Sequence, residues 1–328
     1  MFTPAPQMKA AIYTRYGTPE VVSVVETATP QPGPKEVLIK IHATTVNRTD
    51  TGFRSAEYFV SRFWSGLLKP HTPILGNEFA GEIVAVGSEV GRFRTGDHVF
   101  GYDDSGFGGH AEYKVMAESG TLTTIPQHLT YEEVVAGTEG AHYALTNIRA
   151  AKVKAGDRVL VNGATGAIGS AAVQLLRYFG ADITAVCATP HIGLVTDLGA
   201  DTVVDYLTDD FTQTADRFDF IFDAVGKSSF TRCKPLLKKK GIYCSSELGK
   251  YGENIPLALC SPLFGGRRLI FPIPGFDNND LQFLKERMAA GDFKPVIDRH
   301  YPLDQIVEAH RYVGSGQKTG YVIINPVG

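Results

Sequence analysis

The chain has 328 residues, 43% of them apolar and 20% charged, with a formal net charge of -3. That length is enough for two domains. A near-neutral charge without a basic block excludes nucleic acid as the default partner, and no stretch approaches the roughly 20 apolar residues of a membrane span. Four cysteines, Cys187, Cys233, Cys244 and Cys260, have no C-x-x-C spacing, which points to the reduced thiols of a cytoplasmic protein rather than to a disulfide framework or zinc cluster.

Residues 1–7 read as a loose tail, without the charged and apolar regions of a secretory signal. From Lys9 to about Pro126, short β-type runs are broken by glycine and proline: KAAIYTRYG, EVLIKIHATTV, FAGEIVAVGSEV, DHVFGY and HAEYKVM. The period-2 alternation in VLIKI predicts a compact, partly barrel-shaped antiparallel domain over residues 1–130. It is interrupted by FRSAEYFVSRFWSGLLKPH, 53–71, whose apolar residues at 59, 60, 63, 64, 67 and 68 predict one helical face. That aromatic cluster packs into the core or lines a pocket for an apolar substrate.

The centre of the chain is RVLVNGATGAIGSAAVQLL, 158–176. A β-branched run predicts a strand buried on both faces, glycines at 163, 166 and 169 a turn, and the Ala- and Leu-rich remainder a helix. A helix start with unpaired N–H groups and no Cβ in the way is an anion site. Against the dinucleotide fingerprint G-x-G-x-x-G, the phase is Ala164, Gly166, Gly169, with alanine at the first position. Gly163, Ala164, Thr165, Gly166, Ala167, Ile168 and Gly169 are therefore the expected pyrophosphate cradle.

Alternating strands follow: DITAVC, TVVDY, FDFIFD, GIYCSS and RRLIFPI, with Thr189 and Pro190 read as N-cap and first position of a helix that Gly199 ends. Repeated βα units predict a doubly wound parallel sheet over residues 131–276. KPLLKKK, 234–240, reads as the solvated end of a helix. Residues 277–328 carry two amphipathic helices and a final strand, TGYVII, expected to return to the first domain.

These features together resemble the medium-chain dehydrogenase/reductase superfamily, in its zinc-free quinone oxidoreductase and alkenal reductase branch. The resemblance runs from Met8 over nearly the whole chain and rests on MKAAIYTRYG, PGPKEVLIKIHATTVNRTD, GNEFAGEIVAVGSEVGRFRTGDHVFG, VNGATGAIGSAAVQL and LGADTVVDY. It implies a GroES-like first domain beside the Rossmann sheet. Zinc-dependent members carry cysteine where Asn47 stands and histidine where Asn77 stands, so the resemblance implies no catalytic metal; His110, His142 and Glu139 remain as chance ligands. RLIFPI reads either as an edge strand that pairs with its copy in a homodimer, as in dimeric relatives, or as an internal strand.

The second strand of the sheet ends Cys187, Ala188, Thr189, Pro190, His191 with no acid, so a 2′-phosphate would meet no repulsion and NADPH is the expected cofactor. NADPH-dependent relatives use a lysine near His191, a tyrosine matching Tyr206 and a basic residue near Lys318. Val225, after the fourth strand, completes the expected cofactor set. Without a metal, alcohol oxidation is hard, whereas hydride transfer to a quinone or an activated double bond needs only positioning and hydrogen bonds to the developing oxyanion. The expected substrate is a small apolar carbonyl compound or quinone. Asn47 is the expected polar group beside the nicotinamide, Arg48 a carbonyl partner and Tyr58 a proton donor, with solvent as its rival. A short-chain dehydrogenase is excluded because no tyrosine has a lysine four residues later. The alternatives are a zinc-type alcohol dehydrogenase relative and a nucleotide-binding regulatory protein.

Overall fold

A computed structural model of the chain describes residues 6–57, 62–263, 266–275 and 277–327, the side chain of Trp64 excepted. Strands β1 (Gln7–Tyr13), β2 (Val22–Ala28) and β3 (Glu36–Val46) precede helices α1 (Arg48–Ser55) and α2 (Arg62–Ser65). Then come β4 (Glu78–Val86), β5 (His98–Tyr102), β6 (Tyr113–Ala117) and β7 (Leu122–Thr124), followed by α3 (Tyr131–Val135) and α4 (Glu139–Ala151). Strands and helices next alternate: β8 (Arg158–Asn162), α5 (Ala167–Tyr178), β9 (Asp182–Cys187), α6 (Ile192–Asp197) and β10 (Thr202–Asp205). The series continues with β11 (Phe218–Asp223), α7 (Phe230–Cys233), β12 (Leu237–Ser245), α8 (Asn254–Cys260) and β13 (Arg268–Ile270). Helix α9 (Asn278–Ala290), β14 (Ile297–Pro302), α10 (Ile306–Gly314) and β15 (Tyr321–Asn325) complete the order.

Two compact units divide the chain: Met1–Glu139 with Phe276–Ala289 and Pro295–Gly328, and Gly140–Gly275 with Ala290–Lys294. The first border thus falls nine residues beyond the position expected from sequence. Helix α3 packs on β3, β4 and β5, and the Tyr131 ring stacks on His42 with centroids 4.5 Å apart, so this helix belongs to the first unit. Its start is fixed locally by a capping box in which Thr130 and Glu133 satisfy each other's backbone N–H groups.

In the first unit, β1 and β2 form a hairpin and the larger sheet runs β14-β15-β3-β4-β5-β7, with β6 also paired to β3. The C-terminal strand β15 lies antiparallel to β3, Val322 opposite Val46. The sheet is open, in keeping with a domain only partly barrel-shaped: among the described residues the edges β14 and β7 are not paired with each other. Inward residues such as Ile39, Ile41, Phe79, Ile83 and Val99 form one core of this unit, and alternation along β3 is what sends them there.

The aromatic stretch departs from the single apolar helix expected of it. Residues 59 and 60 lie outside the described residues, α2 ends at Ser65, and Phe63 and Leu68 are 69% and 89% exposed. Gly66 is the cause. At φ +119° a Cβ there would stand 2.0 Å from the Lys69 carbonyl oxygen, so the chain reverses before a second turn can form. The lysines 238–240 also differ from expectation, since they open strand β12 instead of closing a helix.

The second unit holds one fully parallel sheet in the order β10-β9-β8-β11-β12-β13. It is the doubly wound arrangement, whose strand order reverses between β8 and β11. Ligands of such sheets bind beyond the carboxyl ends of the strands at that reversal. Here those ends are Asn162 and Asp223, paired in parallel register.

Candidate functional site

Beyond Asn162 the chain turns through Gly163 at φ +82°, where a Cβ would lie 2.3 Å from Val225 Cγ1. The N–H groups of Gly163 and Ala164 donate to the Val186 carbonyl at 3.2 and 3.1 Å, tying the turn to the end of β9. A Cβ on Gly169 would stand 2.0 Å from the Gly163 oxygen, so these two glycines serve the turn itself. Gly166 differs. It is the N-cap of α5, no side chain caps it, and a Cβ there would meet only the Gly163 oxygen, at 4.0 Å. The first-turn N–H groups of Ala167, Ile168 and Gly169 have no acceptor within the helix, and the space before them is open. Thr165 and Ile168 are partly exposed beside this opening, while Ala164 is fully buried. The turn therefore fits the pyrophosphate of a dinucleotide.

Asp223 organises the other side. Its Oδ1 accepts from Asn162 Nδ2 at 3.0 Å, and its Oδ2 accepts from Ser228 N at 2.8 Å and Tyr243 Oη at 3.1 Å. These bonds hold the loop that sets Val225 against Gly163. Sequence reasoning missed Asp223; the available signal was an acid ending an otherwise apolar strand.

At the end of β9, the expected N-cap Thr189 is not one, since Ala188 takes that position. The Thr189 hydroxyl donates instead to Asp205 Oδ2. Parallel pairing sets Asp205 of β10 beside Cys187, and its carboxyl is held below the usual range by the Thr189 bond and by the Leu207 N–H. The expectation of no acid near this strand end is thus corrected: β10 supplies one. His191 is half-buried and the Tyr206 side chain exposed in the same region. Lys318 belongs to the first unit. Its Nζ donates to the Gly320 carbonyl, and burial pulls its ammonium down to about 8 against the opposing pull of Glu78, Glu139 and Asp298. Those three carboxyls lie in the same unit as Lys318.

The first unit carries a buried polar network centred on Asn47, which is 4% exposed. As N-cap of α1, Asn47 accepts from Asp50 N at 2.9 Å through Oδ1, and its own N donates to Asp50 Oδ2 at 3.0 Å. Its Nδ2 donates to Asn77 Oδ1 at 2.7 Å and to Glu78 Oε2 at 3.1 Å. Both amide hydrogens of the group expected beside the nicotinamide are thus engaged inside the protein. Asn77 Nδ2 donates onward to Asp104 Oδ1 at 2.6 Å and Glu139 Oε1 at 2.9 Å. Arg48, expected at a carbonyl, holds Glu57 at 2.7 Å on the surface. Tyr58 lies outside the described residues.

Below this network, Asp50 accepts from Gly76 N at 2.9 Å, and burial pushes its carboxyl up to about 7. His110 Nε2 donates to the Thr45 carbonyl at 2.7 Å, and burial pulls its imidazole down to about 4, so it is neutral. Zinc takes thiolate, imidazole or carboxylate donors. Asn47 and Asn77 offer amides bonded to each other, and among the described residues no three His, Cys, Asp or Glu side chains are arranged to hold a metal. These donors do not fit zinc.

Glu78 and Glu139 are two of the acids that accept from the asparagine pair. Glu78 accepts four bonds, from Thr45 Oγ1, Asn47 Nδ2, Thr138 Oγ1 and, at 2.8 Å, Glu139 N. Glu139, 6% exposed, accepts from Thr49 Oγ1 at 2.6 Å and Asn77 Nδ2, both on Oε1. Burial raises both carboxyls, and the neighbouring Glu78 raises Glu139 further. Two adjacent buried carboxyls do not both ionise. The four donors make Glu78 the charged member and leave Glu139 with the proton. Sequence reasoning named Glu139 as a chance metal ligand and passed over Glu78; an acid inside the β-run NEFAGEI was the available signal.

Residues 33–127 match the alcohol dehydrogenase GroES-like domain, and residues 198–324 match the zinc-binding dehydrogenase family. The chain is 31% identical to the human (Homo sapiens) quinone oxidoreductase, with 97% of each covered. It is 26% identical to the chloroplastic NADPH-dependent alkenal/one oxidoreductase of Arabidopsis thaliana, over 98% of this chain and 80% of the relative. The structure of the quinone oxidoreductase from Coxiella burnetii superposes with a TM-score of 0.88 at 25% identity, covering 98% of this chain and all of that one. The chain belongs to the medium-chain dehydrogenase/reductase superfamily, in the branch that holds the quinone oxidoreductases and alkenal reductases.

Proposed function

We propose that this chain is a metal-independent reductase that transfers hydride from NADPH to a quinone or to the activated double bond of an enone or alkenal. The observation that carries the reading is the Asn47–Asn77 hydrogen bond, because it spends on each other the two side chains that a zinc-dependent relative would use as ligands. The open turn at Gly166 supports a dinucleotide, and the relatives' names support reduction of quinones and alkenals. When bound, the cofactor supplies the hydride. Ala167, Ile168 and Gly169 N–H groups hold its pyrophosphate, and Gly163, Ala164, Thr165, Gly166 and Val225 shape the surface against which it lies. Thr189, His191 and Tyr206 meet its adenosine ribose, with Asp205 opposing a 2′-phosphate.

The protein is expected to oxidise NADPH with at least one enone, alkenal or quinone, followed by loss of nicotinamide absorbance, and to show no oxidation of simple alcohols with NADP. Failure with every acceptor class, alongside measurable NADPH binding, favours the regulatory alternative.

A second copy of the chain is the proposed partner. Helix α8 and the turn after it expose Ile255, Leu259 and Leu263 at helical spacing, the last two 78% and 80% exposed, beside β13 at the edge of its sheet. An apolar stripe next to an open strand edge suits association. No helix among the described residues is long and apolar enough to cross a membrane. Four free thiols, three of them buried, suit a reducing compartment such as the cytoplasm, although some relatives are chloroplastic.

A further inference from the structure

A recess of about 580 Å³ opens between the loop after β1, the end of α1 and the last turns of α10, all three in the first unit. Two of the residues lining it are buried and unsatisfied. Arg54 is 5% exposed; its Nη1 donates to the Gly17 carbonyl, while its Nε has no acceptor. His310 is fully buried, and neither ring nitrogen has a partner. Buried polar groups are ordinarily paired, and a buried guanidinium calls for an opposite charge.

The protein does not supply that charge. Among the described residues no carboxylate forms an ion pair with Arg54. Glu20 favours its charge from nearby but is held by Arg311 at 2.9 Å, and Arg311 also holds Glu308 at 2.9 Å. The helix ends do not account for Arg54 Nε either. The last carbonyls of α1 accept from the N–H groups of Gly17, Ala56 and Glu57, and those of α10 from Ser315 and Gly316. Burial, with His110 and Arg54 beside it, keeps His310 neutral, so its ring offers one donor and one acceptor but no charge.

The unmatched cation is therefore Arg54 alone. With Nη1 spent on Gly17, its remaining edge is Nε with Nη2, a planar pair of donors whose spacing matches the two oxygens of a carboxylate. One positive charge on a planar edge suits a monoanion better than a phosphate dianion, and a recess of this volume suits a small organic molecule rather than a lone ion. We propose that the recess binds a small organic monocarboxylate, its carboxylate on the Nε edge of Arg54 and the His310 ring N–H as a further donor.

Titration calorimetry with acetate, benzoate and inorganic phosphate reads the site in wild type, Arg54→Gln and Gly314→Phe, each checked for its fold by circular dichroism. Gly314 lines the recess at the end of α10, and a Cβ there would meet nothing within 4 Å, so the phenylalanine enters open space. Benzoate should bind wild type with a dissociation constant of about 1 mM or lower, and acetate and phosphate more weakly. Both variants should lose at least about 10-fold in benzoate affinity. Saturating NADPH should leave the wild-type constant for benzoate unchanged. In histidine-labelled wild type, the ring-nitrogen NMR signal that is missing from His310→Asn should shift when benzoate is added. Wild type that binds neither acetate nor benzoate overturns the inference. So do phosphate binding tighter than benzoate, wild-type benzoate affinity in folded Gly314→Phe, an unmoved His310 signal, and displacement of benzoate by NADPH. Should Arg54→Gln not fold, Gly314→Phe and the His310 signal decide. A protein that binds benzoate in this way yet never oxidises NADPH upholds the inference, and the reductase reading alone fails.

Discussion

Gly166→Ala separates the ligand's demands from the fold's. The backbone there, at φ -70° and ψ 172°, is one that alanine adopts freely, and a Cβ would have no neighbour closer than 4.0 Å. Alanine is a poorer N-cap than glycine by up to about 1 kcal/mol, but it also lowers the entropy of the unfolded chain by about 0.4–1 kcal/mol. Stability should therefore stay within about 1 kcal/mol of wild type. Binding should not. The methyl group would occupy the space before the Ala167–Gly169 amides, and loss of one hydrogen bond to a charged phosphate costs about 1.5–3 kcal/mol, or roughly 10- to 150-fold in affinity. Gly169→Ala is the contrast: its Cβ would stand 2.0 Å from the Gly163 oxygen, so the turn must shift, at a cost of about 1–3 kcal/mol of folding stability. Titration calorimetry with NADPH, paired with denaturant unfolding, reads both variants. Wild-type NADPH affinity in a fully folded Gly166→Ala protein would refute the placement of the pyrophosphate.

Asp205→Asn removes the charge that Thr189 holds beside the end of β9, so KM for NADPH should fall a few-fold while KM for NADH stays put; steady-state kinetics with both cofactors checks this, and equal changes would count against it. His110 is lowered from 6.5 to about 4 by burial, so the stability it lends is present above pH 6.5 and lost as pH falls through 4. The stability gap between wild type and His110→Asn should therefore shift by about 3 kcal/mol toward the variant across that window, and denaturant unfolding showing a pH-independent gap would contradict the burial argument. Leu259→Glu should convert a dimer to a monomer in sedimentation velocity, whereas an unchanged sedimentation coefficient removes α8 from the interface.

What could be seen in the sequence was what one short segment decides for itself. The turn at 163–169 is dictated by glycines whose partners lie within a few residues or across one strand pair, and the β-branched runs announce the parallel strands. The expected 59–68 face failed for an equally local reason, because Gly66 at positive φ ended the helix and left Leu67 and Leu68 in solvent. The proton-bearing pair was out of reach: Glu78 and Glu139 lie far apart along the chain, and only the packing of α3 on β3, β4 and β5 brings Thr138 and Glu139 to Glu78. Asp205 was missed in the same way, since side-chain spacing in sequence does not say which neighbouring strand end receives a charge.

Metal content measured against turnover bears most directly on the central claim, that the Asn47–Asn77 pair serves hydride transfer without a Lewis acid. Protein dialysed against a chelator, with zinc quantified by mass spectrometry, should reduce its best enone or quinone with NADPH at the undialysed rate and with far less than one zinc per chain. A rate that falls with chelation and returns in proportion to added zinc would contradict it.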